Sequence, residues 1–315
     1  MARATGAHAQ LLGAFEAAYG TAPGGNFHTL PFVSCDIGSQ QPLEASDVLG
    51  LGRDPAPPSR DIITAEGQIT VPVDLRSIGF WLKGLFGPSV TTGTGPYSHV
   101  YTSGADTLPS LALEVGHPQV PRYFLNLGCL INSLNLGWAP SGKANATLAL
   151  IAQGETDAAT SSGGTPTTQG LQRFHQFQGR IRKDGAALAN ITAAELTYAN
   201  NLDPVRVIRD DGKIEGADLG VAACTGNLAA RFADMVLLDA ATDGTAMALE
   251  FAWVIDADRS LTIALPSVYL PKPRIPISGP AGIEARFDWQ AAKPDGGASG
   301  GAFVTVTLKN DVASY

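Results

Sequence analysis

Histidine and cysteine side chains are the first candidates for chemistry, because they hold metals and act as nucleophiles or proton carriers. The chain contains five histidines and three cysteines: His8, His28, His99, His117, His175, Cys35, Cys129 and Cys224. No two of them have the spacing of a metal-binding motif. The cysteines are odd in number and far apart, which argues against a disulfide framework. We therefore predict no metal and no cofactor, and cysteines that act as small apolar side chains in a reducing compartment.

Carboxylates and one serine motif are the remaining catalytic candidates. Glu114 and Glu250 suggest a general acid–base pair, but each lies in an alternating run, where the sequence predicts solvent exposure. The motif Gly297-Ala-Ser-Gly-Gly301 matches a nucleophile elbow by its letters only, since it precedes a strand instead of a helix. The aspartates within 210–211 and 256–258 lack the oxygen spacing of a calcium loop and are typical of turns. The sequence therefore predicts a structural or binding protein and not an enzyme.

Composition narrows the class of protein further. The 315 residues carry 21 basic and 29 acidic side chains, a net charge of −8, with no run of Lys or Arg. Such a chain lacks the clustered cations of a high-affinity nucleic-acid binder. Its apolar runs are only a few residues long, far short of the roughly 20 that a membrane-spanning helix needs, and no apolar segment typical of a secretory signal follows the first residues. We therefore expect no contact with a membrane.

The elements that would position any site are mostly strands. From residue 30 onward, short runs alternate between apolar and polar side chains, as half-buried strands do. These runs are 68–73, 110–115, 134–138, 144–151, 245–253, 261–265, 283–289 and 302–308. Asp74 can cap one amphipathic helix over 74–86 that stops at Gly87-Pro88, and residues 7–19 have the composition of a short helix or an ordered arm. The fold class predicted is all-β, a sandwich or barrel with one or two short helices.

The two halves of the chain share a pattern that indicates a duplication. Gly67–Asp74 followed by an apolar residue resembles Gly226–Asp234, and each reaches an Ala-Leu-Glu strand, at Glu114 and Glu250. Residues 155–170 have no large apolar side chain and are typical of an exposed linker or a mobile hairpin tip. The sequence therefore predicts two tandem β-domains, residues 1–160 with an N-terminal arm and residues 161–315.

Several segments resemble the tail tube proteins (major tail proteins) of long-tailed bacteriophages and prophages. The segments are Met1–Gly6, Ala14–Pro23, Leu30–Val33, Val73–Lys83 and Gly128–Asn135, with Gly142 and Gln153–Glu155. The resemblance implies a structural virion protein, assembled in the host cytoplasm, whose copies form stacked rings. The rings make a hollow tail tube that conducts DNA during ejection without binding it specifically, and other tail proteins meet the ends of the tube.

The resemblance also implies a long loop that contacts the next ring. In this chain that role falls on residues 39–60, which are long and rich in proline, with 200–216 as the second-half equivalent. The predicted contact residues between rings are Val48, Leu49, Leu51, Arg53, Asp54, Arg206, Val207 and Arg209. The apolar side chains would be buried at the contact, and the arginines would pair with acids across it.

Barrel geometry predicts the number of chains in a ring. If each domain gives about four strands to the lumen, six domains make about 24 strands and a backbone diameter of about 48 Å. Three two-domain chains would therefore form a pseudo-hexameric ring, with six chains as the alternative, and the inner faces should be acidic or neutral and poor in Lys and Arg.

The competing interpretation is a β-sandwich carbohydrate-binding or adhesin module, which needs exposed aromatic side chains. A hydrolase whose triad comes from distant residues is a third possibility.

Overall fold

The computed structural model describes residues 3–50, 52–277, 279, 282–294 and 301–315. The predicted all-β fold class is confirmed. The strands as far as residue 168 are β1 (Gln10–Phe15), β2 (His28–Thr29), β3 (Ser34–Cys35), β4 (Gly38–Gln40), β5 (Leu43–Glu44), β6 (Ser59–Arg60), β7 (Thr64–Pro72), β8 (Val90–Thr92), β9 (Tyr97–Thr102), β10 (Leu111–His117), β11 (Arg122–Trp138), β12 (Asn145–Ala152), β13 (Gly154–Ala158) and β14 (Thr167–Thr168).

The second part of the chain also consists mainly of strands. Its strands are β15 (Gly179–Lys183), β16 (Ala186–Ala187), β17 (Ile191–Ala199), β18 (Asp203–Val205), β19 (Gly216–Asp218), β20 (Ala223–Arg231), β21 (Met247–Val254), β22 (Ser260–Tyr269), β23 (Glu284–Ala291) and β24 (Thr305–Asn310). Two α-helices, α1 (Ile78–Phe86) and α2 (Val236–Asp243), lie among the described strands. Neither these nor any other described helix is long and apolar enough to span a membrane.

One antiparallel sheet of eight strands runs through both halves of the molecule. Its order is β3/β4, β7, β12, β11, β17, β20, β23 and the end of β22, where β3 and β4 are two pieces of one edge strand. Alternate side chains along these strands are buried and exposed, as in β23, whose pattern changes at every residue. Strict alternation leaves one face of the sheet on the core and the other in solvent.

The same connectivity occurs twice along the chain. In the first half β7 leads through α1 to the hairpin of β10 and β11, and β12 then returns to pair with β7. In the second half β20 leads through α2 to the hairpin of β21 and β22, and β23 returns to pair with β20. The outer strands also correspond: β1 pairs with β10 as β15 pairs with β21, and β13 pairs with β11 as β24 pairs with β22.

The two helices start after equivalent aspartates. Asp74 Oδ1 accepts hydrogen bonds from the backbone N–H groups of Arg76 and Ser77, both at 2.7 Å, and Asp234 Oδ1 accepts from Val236 N–H at 3.1 Å. Asp74 therefore caps a turn that precedes α1, and the helix begins four residues later than the predicted 74–86. The sequence analysis did not predict α2.

A single apolar core joins the two halves. All four tryptophans, Trp81, Trp138, Trp253 and Trp289, are at most 5% exposed. Trp138 of the first half and Trp253 of the second stack with ring centroids 4.3 Å apart. Pairing also crosses between the halves, because β17 adds to β11 and β24 adds to β9. The predicted boundary between residues 160 and 161 therefore lies between halves that share one core, and the two-domain division stays a prediction.

Pairing with distant strands determines the structure of two segments whose composition left alternatives open. Residues 7–19, expected as a short helix or an ordered arm, contain no α-helix: a 3-10 turn over Gly6–His8 precedes β1, whose apolar side chains at Leu11 and Leu12 are buried by pairing with β10. Residues 155–170 are not a free linker: β13 pairs with β11, and the turn after it is bound to Glu114. In both segments long-range pairing outweighs a weak local preference.

Candidate assembly surfaces

The solvent-facing side of the eight-stranded sheet is one candidate assembly surface. A row across its first seven strands consists of uncharged hydrogen-bonding side chains, and its members in strand order are Ser34, Thr70, Thr147, Asn135, Thr197, Thr225 and Gln290. Neighbours in the row contact each other: Thr70 and Thr147 hydroxyls lie 3.3 Å apart, and Asn135 Nδ2 donates to Thr197 Oγ1 at 2.8 Å. We call these seven residues the neutral row.

Charges on the same face are mostly negative. Its carboxylates are Asp36, Glu66, Glu195, Glu284 and Asp288, and its arginines within the paired strands are Arg231 and Arg286. Each arginine is matched by a carboxylate: Arg231 lies 3.4 Å from Glu284, and Arg286 lies 3.3 Å from Asp288. These ion pairs are exposed and contribute little stability, but they offset both positive charges. The face therefore presents neutral and acidic groups with no unmatched arginine in these strands.

The first predicted contact loop rises from a short hairpin. β5 and β6 pair at its base, and the residues between them are mostly exposed. The apolar side chains Val48 and Leu49 are 61% and 93% exposed, while Arg53 and Asp54 also lie in solvent. Leu51, which we predicted to be buried in the contact, lies outside the described residues.

The second predicted contact loop has the same construction. It connects β17 to β20, as the first connects β4 to β7, and β18 pairs with β19 at its base. Arg206 and Val207 are exposed. Arg209 forms two hydrogen bonds of 2.8 Å with the Asp211 carboxylate, and this interaction lowers the pKa of Asp211 to about 2. Arg209 is therefore already paired within its own loop.

Sequence reasoning missed the most exposed apolar residue of this loop. Ile208, next to Val207, has no shielding from the rest of the chain. The signal was present in the sequence, because Val205, Val207 and Ile208 form an apolar group inside an otherwise polar and charged segment. An exposed apolar side chain on a loop tip is suited to a contact with another molecule.

The bases of the two loops lie side by side. The backbone N–H of Ile63, just after the first loop, donates to the carbonyl of Gly212 in the second at 3.2 Å. Their tips are separate: in the described part of the chain, no hydrogen bond or ion pair joins residues 46–54 to residues 206–209. The predicted residues are thus brought into one region of the surface without contacting each other.

The catalytic candidates do not form a site. Glu114 is 1% exposed, so the expected solvent exposure of this residue was wrong. Its carboxylate accepts from Ser161 Oγ at 2.5 Å and from Ser162 N–H at 2.6 Å. Glu250 is instead half-exposed and lies 3.4 Å from Arg182. The two carboxylates thus bind different partners and do not form a pair. Glu114 is buried because the turn that contains Ser161 and Ser162 packs on it.

The remaining candidates have structural roles. Burial raises the pKa of the Cys224 thiol to about 12 and that of Cys129 well above its usual range. Asp256 pairs with Arg259, and no three His, Cys, Asp or Glu side chains in the described ranges come together as metal ligands. The residues 297–300 of the serine motif lie outside the described residues.

Comparison with known proteins adds one finding. The family described as phage tail tube protein matches residues 6–291, which is most of the chain and includes both copies of the repeated connectivity. A search of curated proteins finds no match.

Proposed function

The chain belongs to the phage tail tube protein family, and from that membership we propose that its copies polymerise as stacked rings into the hollow tube that conducts DNA during ejection. As a member of a structural family of phage tails, the protein is a virion tail component. Its assembly takes place in the host cytoplasm, and its other partners are the tail proteins at the two ends of the tube.

The eight-stranded sheet is the observation that carries this proposal. Each half contributes four strands, so three chains supply about 24 strands, which at about 4.8 Å spacing and about 40° tilt give a backbone diameter of about 48 Å. Inward side chains reduce this to about 38 Å, wide enough for duplex DNA of about 20 Å with a layer of water. A ring of two chains would leave about 22 Å by the same arithmetic and would obstruct the duplex. Three chains per ring are therefore favoured.

The solvent-facing side of the sheet suits the wall of a conduit. A wall rich in Lys and Arg would hold the phosphate backbone through counterion release. The neutral row and the surrounding carboxylates, with both strand arginines paired to acids, offer DNA no such attraction. DNA therefore slides past this face without specific binding.

The repeated connectivity supports two tail tube domains per chain, residues 1–160 and 161–315. Both copies contain the strand, helix, hairpin and returning strand in the same order. A three-chain ring then has six domains and is pseudo-hexameric.

The two loops supply the contact between rings. Each inserts a short hairpin at the equivalent place in its half, and both expose apolar side chains, at Leu49 and at Val207. Since Arg209 is engaged by Asp211, Arg53 and Arg206 are the arginines that pair with acids of the neighbouring ring. Apolar burial with a polar rim is the usual anatomy of a stable interface.

The carbohydrate-binding or adhesin alternative is not favoured. Sugar platforms use exposed aromatic rings, whereas all four tryptophans are buried.

Electron cryo-microscopy of the purified, polymerised chain tests the proposed function. We expect tubes whose rings contain three chains, with the eight-stranded sheet facing a lumen of about 40 Å. Rings of six identical chains, or a bore lined by another face of the molecule, would contradict the proposal.

A further inference from the structure

The eight-stranded sheet ends in two open edges. At one end lies the strand made of β3 and β4, where the Asp36 N–H donates inward to the Gln68 carbonyl at 3.0 Å. Successive backbone groups of a strand point to opposite sides, so the N–H and C=O of Ile37 face away from Gln68. In the single chain this N–H lies within hydrogen-bond reach of the Cys35 thiol. At the other end, β22 pairs with β23 only through Val268 and Tyr269. Open sheet edges are templates for pairing with another chain.

The chain contains an internal example of how such edges meet. β11 of the first half pairs with β17 of the second, which places Leu136 opposite Leu196 and Trp138 opposite Ala194. β17 is the second-half equivalent of β3/β4, and β11 is the first-half equivalent of β22. We call the pairing of β11 with β17 the seam between the halves. The two open edges, β22 and β3/β4, are equivalent to these strands, so neighbouring chains can form a second seam with the same geometry.

The register of that second seam follows from the repeat, beginning with the edge made of β3 and β4. In the first half, Ile69 of β7 lies between Leu148 of β12 and Cys35 of β3. In the second half, Leu228 of β20 lies in the same way between Phe287 of β23 and Ala194 of β17. Cys35 therefore takes the place of Ala194, and Ile37 takes the place of Leu196.

The register of the opposite edge follows in the same way. Leu130 pairs with Ile151 as Tyr269 pairs with Gln290. β11 carries one extra residue, Asn132, in a β-bulge between Ile131 and Ser133. Bulges are among the few sheet positions that accept proline, so we place the equivalent bulge at Pro271. Counting on from Tyr269 with this bulge puts Ile275 in the place of Leu136 and Ile277 in the place of Trp138.

We infer that residues 272–277 of one copy of this chain pair antiparallel with residues 35–40 of a second copy, with Ile275 opposite Ile37 and Ile277 opposite Cys35. This inference rests on the proposed function, and it specifies how neighbouring chains of one ring are joined. Each ring then contains two kinds of seam, one inside every chain and one between chains, with the same strand direction and equivalent registers.

The side chains at these positions fit the register. On the core side, two apolar pairs replace Leu136–Leu196 and Trp138–Ala194. Ile277 is 76% exposed in the isolated chain, although the equivalent Trp138 is buried, as expected if its cover comes from another molecule. On the opposite side, Arg274 falls opposite Gly38 and diagonal to the exposed Asp36 carboxylate, within reach for an ion pair.

Prolines explain why this edge is unpaired in the single chain. Pro271, Pro273 and Pro276 lack backbone N–H groups, and prolines protect edge strands from unwanted pairing. Pro273 falls opposite Ser39, whose backbone N–H and hydroxyl both donate to the Glu155 carboxylate, the hydroxyl at 3.4 Å. The hydrogen bonds of the seam are therefore concentrated at Ile275 and Ile277, the two positions with an N–H and an apolar partner.

A disulfide between copies tests the register directly. Residues opposite each other at a hydrogen-bonded pair have Cα atoms about 5.5 Å apart, which suits a disulfide. Ile277→Cys should therefore bond to Cys35 of the neighbouring chain when assembled tubes are oxidised. On a non-reducing gel we expect covalent dimers and trimers, ending at the trimer.

Two control variants make the test specific. Ile277→Cys with Cys35→Ser should give no ladder. Pro276→Cys, whose side chain faces the other side of the sheet, should give at least tenfold less cross-linking. Equal cross-linking at 276 and 277, or tubes of Ile277→Cys without any cross-link, would overturn the seam while leaving the proposed function intact. A wild-type chain that forms neither rings nor tubes would refute both.

A charge at the seam gives a second, independent measurement. Ile277→Lys should raise the concentration needed for assembly at least tenfold, because the lysine must be buried between chains. Val90→Lys is the matched control, since Val90 is 69% exposed in β8, which pairs with β9 and with neither edge strand of this sheet. Both residues are exposed in the single chain, so both variants should fold. Equal assembly of the two variants would overturn the seam.

Discussion

Replacement of Glu114 by Gln should destabilise the chain far more than the same change at its second-half equivalent, Glu250. The Glu114 carboxylate is buried and accepts two short hydrogen bonds, from Ser161 Oγ and Ser162 N–H, which fasten the turn between the halves to β10. A glutamine amide keeps one acceptor for the Ser162 N–H and turns its NH2 group toward Ser161 Oγ. The serine hydroxyl must then turn to accept from that NH2, and both bonds to a carboxylate become bonds to a neutral amide.

The expected size of the effect follows from those two bonds. A hydrogen bond to a charged group contributes about 1.5–3 kcal/mol and one to a neutral group about 0.5–1.5 kcal/mol. With two such bonds weakened, we expect Glu114→Gln to lower the free energy of unfolding by about 2–3 kcal/mol. Urea denaturation followed by tryptophan fluorescence measures this quantity, provided that the slope with denaturant stays the same in both proteins.

Glu250→Gln is the matched control, because Glu250 occupies the corresponding strand and forms only an exposed ion pair with Arg182 at 3.4 Å. Exposed pairs of this kind contribute about 0–1 kcal/mol. A Ser161→Ala variant should also lose part of its effect when combined with Glu114→Gln, since both changes weaken the same contact. Equal losses for the two glutamate variants would refute the reasoning.

Three further predictions concern assembly and the loops. Deletion of residues 46–56 should leave soluble, folded subunits that form rings without stacking, and tubes of normal length by negative-stain microscopy would contradict this. Thr197→Lys places a cation in the neutral row, so assembled tubes should retain DNA in a salt-dependent way that wild-type tubes lack, measured by co-sedimentation. The pKa of Asp211 is about 2, below its ordinary 3.8, so the stabilisation from its pair with Arg209 is present above pH 4 and is lost as the pH falls toward 2. Carbon-13 NMR of the Asp211 carboxyl checks this, and titration near pH 4 would contradict it.

Short-range periodicity was enough to predict most of the strands. The alternating runs at 144–151 and 283–289 correspond to β12 and β23, because each of these strands has one face on the core and one in solvent. The similarity between Gly67–Asp74 and Gly226–Asp234 also reflects a real equivalence, since both segments belong to a strand that precedes a capped helix.

Interactions between distant segments could not be predicted in this way. Glu114 has an exposed-strand pattern around it, and its burial depends on a turn more than 40 residues later that supplies the two donors. The segment 7–19 is rich in Ala and Leu, which are compatible with a helix, but β10 provides a pairing partner and makes it a strand. The two predicted contact loops were assigned from the family resemblance, from the length and proline content of residues 39–60, and from the equivalence of 200–216 in the second half. The hydrogen bond between Ile63 and Gly212, which joins the bases of the two loops, depends on the pairing of β11 with β17 between the halves.

The position of β24 determines the order in which the molecule can be completed. β24 is the final strand of the described chain, yet it lies between β22 and β9, and so completes a sheet that includes a strand from the first half. During synthesis, β8 and β9 emerge about 200 residues before their partner and must wait for it. Contacts of such high sequence separation form late and slowly. A partly translated chain therefore cannot adopt the fold of the finished subunit.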